Sequence, residues 1–108
     1  MGMPLTPMER SILRLVADRH WPQFDVEQVD AVSRENTGVG RFTYLLDRGD
    51  QPIPDQLYGA DNHYIQMEGV RDGLFFVVET KDGRVYYIEI VSVGDDTWDG
   101  VERAWSFV

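Results

Sequence analysis

The chain has no cysteine, one lysine, two histidines and no apolar run longer than Leu74 to Val78. Without cysteine there is no disulfide framework, no thiolate nucleophile and no zinc–thiolate site, and a reducing cytoplasm is the expected compartment. The apolar run falls far short of the ~20 residues a membrane helix requires. No charged segment followed by an apolar stretch opens the sequence, so no secretory signal is expected. Basic residues are also scarce. Ten of them face nineteen acidic ones, giving a net charge of −9 and a pI near 4.4. That balance argues against nucleic acid, whose phosphates demand local positive charge. It favours a basic protein, whose encounter an acidic field would speed. Acidity that only keeps the chain soluble is the plainer reading.

What is present suits one domain. A chain of 108 residues that is 43% hydrophobic and 12% aromatic can bury a real core without metal or disulfide staples. Thr6-Pro7-Met8-Glu9 predicts a helix start, with Thr6 as cap, Pro7 in the first turn and Glu9 closing a capping box. Met8, Ile12, Leu15 and Val16 follow at helical spacing, and Trp21-Pro22 ends the helix. A strand is expected from about Gln28 to Arg34, then a turn at Asn36-Thr37-Gly38. Arg41 to Leu46 alternates, with Phe42, Tyr44 and Leu46 on one face and Arg41, Thr43 and Leu45 on the other, as a strand with one buried face requires. Arg48 to Asn62, interrupted by Gly49, Pro52, Pro54 and Gly59, reads as a long surface loop. His63 to Glu68 and Val101 to Val108 read as short strands. Leu74 to Thr80 and Arg84 to Val93 form a hairpin about Asp82-Gly83. A two-residue turn there places Val78 opposite Tyr87 and Phe76 opposite Glu89. One leading helix and a run of strands predict an α+β fold, with the N-terminal helix packed on an antiparallel sheet of four to six strands.

No catalytic constellation stands out. Glu89 lies mid-strand. If buried it would act as an acid or base, or pair with Arg34 or Arg41; on an open face it is simply exposed. His20 and His63 lack the spacing of a zinc motif, and no serine has the context of a nucleophile. Asp95 and Asp99 fit a calcium loop, but Ser106 stands where its bidentate glutamate belongs. No metal or cofactor is expected. Asp95, Asp96 and Asp99 surround Trp98, and acids around a tryptophan are one form a binding hot spot takes; burial of Trp98 in the core is the alternative. Asp55 and Asp61 charge the long loop in the same way. These six are the candidate partner-binding residues.

Taken in order, Thr37-Gly38-Val39-Gly40-Arg41-Phe42-Thr43, Gly69 to Phe76, Asp82-Gly83-Arg84, Ile88-Glu89 and the Asp95-to-Asp99 loop resemble an uncharacterised family of small bacterial proteins. Some of that family's relatives sit among the immunity proteins of polymorphic and contact-dependent toxin systems. The resemblance spans roughly residues 28 to 105, and departs at Arg41, where a simple aromatic is expected after Gly40. It implies an α+β fold and, for members that are immunity proteins, block of a cognate toxin by binding. The expected function is therefore a non-catalytic, immunity-like inhibitor of a basic toxin. The alternative is a small-molecule-binding or structural domain acting as a homodimer.

Overall fold

Thr6 and Glu9 exchange the two bonds of a capping box: the Glu9 N–H donates to Thr6 Oγ1 at 3.1 Å, and the Thr6 N–H donates to Glu9 Oε1 at 3.0 Å. The helix they open, α1, runs Pro7–His20 and ends where the Trp21 N–H reaches Ala17 O. Its buried stripe is Met8, Ile12, Leu13, Val16 and Ala17, with Glu9 buried beside them. Leu15, expected on that stripe, is only partly buried. The computed structural model describes residues 2–50, 52–59 and 63–108.

Among the described residues seven strands follow: β1 Val29–Asn36, β2 Gly40–Asp47, β3 Leu57–Tyr58, β4 Ile65–Met67, β5 Val70–Lys81, β6 Arg84–Ser92 and β7 Trp105–Phe107. All pair antiparallel, in the order β1-β2-β6-β5-β4-β7, and the two-residue β3 pairs with the far end of the long β5. The α+β architecture is thus the expected one, α1 lying on one face of the sheet.

The hairpin between β5 and β6 departs from its expected register. The turn is two residues long, flanked by Lys81 and Arg84, but a bulge beyond Thr80 and Val85 adds Tyr86 to β6. Val78 therefore faces Ile88 and Phe76 faces Ile90, each one residue from the expected partner. A bulge inserts one unpaired residue and so shifts every later pairing on that strand. The shift puts Val78, Ile88, Phe76 and Ile90 together in the core and puts Val77, Glu89, Tyr87 and Glu79 on the opposite face.

In β2 the alternation holds, and the buried face is the polar one: Arg41, Thr43, Leu45 and Asp47 point to the core side while Phe42, Tyr44 and Leu46 do not. Between Arg48 and Gly59 the described residues form more than a surface loop. Ile53 and Tyr58 are buried, β3 lies within it, and Pro54 O accepts from Thr80 Oγ1 at 2.6 Å and from the Tyr58 hydroxyl at 3.1 Å.

Candidate functional site

The acidic loop beyond β6 turns inward. Trp98 is 2% exposed, its indole N–H donates to Val101 O at 2.9 Å, and the Arg41 guanidinium carbon lies 5.2 Å from its ring centroid. It is a core residue with its one polar atom satisfied, which corrects the expectation of an exposed anchor. Two of the three carboxylates around it bond within the chain. Asp96 accepts the Asp72 N–H at 3.0 Å and the Thr97 N–H at 3.1 Å, and those backbone bonds, Asp72 first, hold its pKa below the usual value. Asp99 takes a two-pronged bond from Arg103, at 3.2 and 2.8 Å, with the Val101 N–H at 3.0 Å. Its pKa is held down to about 2, chiefly by Arg103. Asp95 is exposed. Asp55 lies far along the chain from these, capping the β5–β6 turn through the Asp82 N–H at 3.1 Å and the Gly83 N–H at 2.9 Å. Asp61 lies outside the described residues.

A buried ionic cluster forms where helix, sheet and C-terminal segment meet, and capping-box logic alone does not reveal it. Glu9 is 0% exposed. Its carboxylate accepts from Arg34 Nε at 2.8 Å and Nη2 at 2.6 Å, from Arg41 Nη2 at 2.8 Å and from Thr43 Oγ1 at 2.6 Å. Arg41 also donates to Glu102 at 2.7 Å and to Gly100 O at 2.9 Å, and Thr6 Oγ1 donates to the same Glu102. Burial pushes the Glu9 pKa up. The bonds from Arg34, Thr43 and the Thr6 N–H, with the Arg41 charge, outweigh it and leave the pKa below the ordinary value. Five donors engage the two oxygens of this carboxylate, so the cluster is a structural lock. The sequence signal for it was Arg41 on the same strand face as Thr43 and Leu45.

The opposite face of the sheet is different. No described helix lies across it. On it, Phe42 stands opposite Glu89, and Glu89 opposite Val77; in the next row Tyr44 stands opposite Tyr87, and Tyr87 opposite Glu79. The rings pack on one another: Phe42 and Tyr44 lie stacked at 6.1 Å, and Tyr87 meets Phe42 edge-on at 5.3 Å and Tyr44 at 6.3 Å. Leu46, Leu57, Phe75 and Tyr86 are exposed around them, Phe75 by 48% and Leu57 by 59%. Glu89 is half-buried here rather than in the core, and both arginines suggested as its partners are engaged by Glu9.

His20 and His63 line one pocket with Leu15, Val16 and Asp18, and the His20 ring lies 4.8 Å from that of Tyr58. Among the described residues no set of three or more His, Cys, Asp or Glu side chains is placed to hold a metal ion. Nor is any described helix long and apolar enough to cross a membrane. No protein-family model, curated protein or solved structure matches the chain.

Proposed function

We propose that this chain is a protein-binding domain, an immunity-like inhibitor that captures a cognate basic toxin by tight binding and without catalysis. The supporting observation is the sheet face away from α1, where Phe42, Tyr44, Tyr87 and exposed Phe75 and Leu57 surround Glu79 and Glu89. Exposed apolar and aromatic surface on a sheet face is a common form of protein interface, and here two carboxylates lie within it. Tyrosine and phenylalanine supply large contact area, and the carboxylates select the sign of the partner. A second copy would bring like-charged glutamates and a second net charge of −9 to the same face, so a basic partner fits it better than self-association. The bacterial cytoplasm is the setting this reading implies.

Co-expression with the product of any toxin-like reading frame found beside its gene tests the reading. The neutralised protein should be basic, should co-purify with this chain, and should associate at a rate that falls steeply with salt. A neighbour whose toxicity is unaffected, or a bound partner with no basic excess, overturns it.

A further inference from the structure

Some acidic side chains in this fold are paired with arginine and others are not. Glu9 and Glu102 are paired with arginine near the core, and Glu27, Asp30, Asp72 and Asp99 are paired at the surface. Glu79 and Glu89 form no such pair with a described residue, although both are half-buried on the open sheet face. The Tyr87 hydroxyl is a hydrogen-bond partner of Glu79, but no described cation balances either charge, and half-burying an unbalanced carboxylate has a desolvation cost that an incoming cation would relieve.

Their placement defines what that cation looks like. Glu79 stands opposite Tyr87, and Glu89 is two residues beyond Tyr87 on the same strand, so the two carboxylates are diagonal neighbours. Diagonal side chains on an antiparallel pair start roughly 7–8 Å apart. One planar cation between them can reach both, lying against the Tyr87 ring. Phe42 and Tyr44 flank that ring on the other side. The same patch already holds a cation at its margin, where Lys81 Nζ lies 5.2 Å from the Tyr86 ring centroid. The Tyr87 phenol pKa is raised, first by burial and then by Glu79 and Glu89, consistent with a negative potential at this point.

We infer that Tyr87, Glu79 and Glu89, with Phe42 and Tyr44 beside them, form a socket for an arginine side chain presented by a basic partner. A guanidinium is planar, stacks on aromatic rings and forks toward two carboxylates, whereas an ammonium is a compact, strongly hydrated point charge. Arginine is therefore held better than lysine. The inference rests on the protein-binding reading and gives it a recognition chemistry.

The experiment uses the intact chain and capped peptides containing two arginines, two lysines or two citrullines, followed by NMR. The arginine peptide should move the ring resonances of Phe42, Tyr44 and Tyr87 and bind more tightly than the lysine peptide. The citrulline peptide, neutral but of the same shape, should leave them in place. Glu79→Gln with Glu89→Gln should weaken the arginine peptide by roughly tenfold or more, the loss expected for one close charge pair. Glu89→Gln alone should give part of that loss. Equal binding of the citrulline peptide, no preference for arginine over lysine, or shifts confined to residues 94–100 would overturn the socket. The outcome is separable from the fate of the inhibitor reading. A socket that binds arginine in a chain that neutralises no toxin leaves the inference standing alone, and a toxin captured with these rings unmoved does the reverse.

Discussion

Arg41 on β2 donates to Glu9 on α1 at 2.8 Å, and the two side chains are 5% and 0% exposed. The pair joins the first turn of the helix to the second strand. Through Glu102 and Gly100 the same arginine also holds the C-terminal segment. Removing Glu9 should therefore loosen three parts of the chain at once. Glu9→Ala is expected to cost roughly 3–5 kcal/mol, because it leaves the buried Arg41 with Glu102 as its one ionic partner among the described residues and takes the acceptor from Thr43 Oγ1. Arg34→Ala should cost less, since Glu9 keeps its bonds from Arg41, Thr43 and the Thr6 N–H, and Arg34 itself is already a quarter exposed. Urea denaturation of both variants checks the order.

The same carboxylate gives a pH dependence of defined sign. The folded-state pKa of Glu9 is below the ordinary 4.5, so at acid pH the unfolded chain binds more protons there. Its contribution is present above that ordinary value and is lost as pH falls through it toward the folded-state value. Asp99, held down to about 2, acts in the same direction from the surface. Stability should fall on the acid side, and Glu9→Gln should flatten that fall while lowering stability at neutral pH. Urea midpoints at a series of acid pH values decide this, and an unchanged acid limb in Glu9→Gln would count against it.

Trp98→Ala should act on folding rather than on the lifetime of a complex. Deleting a fully buried indole leaves a cavity and costs roughly 3–5 kcal/mol. It also removes the ring beneath Arg41. Thermal unfolding of the variant should show a large drop in midpoint.

The β5–β6 turn depends on Asp82 at φ 55° and Gly83 at φ 78°. Gly83→Val should cost about 1 kcal/mol or more, since a β-branched residue resists positive φ. A Cβ there would also come within 3.2 Å of Pro52 Cβ. Asp55→Ala, which frees two turn N–H groups, should cost about 1 kcal/mol. Denaturation midpoints measure both, and an unchanged midpoint for Asp55→Ala would return that residue to the list of possible partner contacts.

Glu89→Ala should change stability by less than ~0.5 kcal/mol, because no described residue forms an ion pair with its carboxylate and its surroundings are part solvent. A loss of several kcal/mol would mean that Glu89 holds the sheet together after all.

Local signals in the sequence already determined the helix start, the Asp82-Gly83 turn, the alternation of β2 and the α+β class. Each depends on residues within a few positions of one another: Thr6 with Glu9, Asp82 with Gly83, Phe42 with Tyr44. Which face of β2 is buried was not local. Alternation marks Arg41, Thr43 and Leu45 as sharing a side, but only the docking of Glu9 makes the polar side the inner one. A capping glutamate and a core ion pair look identical until the partner arginines, 25 and 32 residues away, are brought in. The bulge at Tyr86 was equally invisible, since one inserted residue leaves the hydrophobic pattern intact while exchanging the partners of Val78 and Phe76. Trp98 followed the same rule: acids beside it in sequence suggested a surface, while the fold packs it in the core against Arg41 of β2. Tertiary contacts decided these points because burial of a charge depends on long-range partners, and those partners are set by packing rather than by neighbours along the chain.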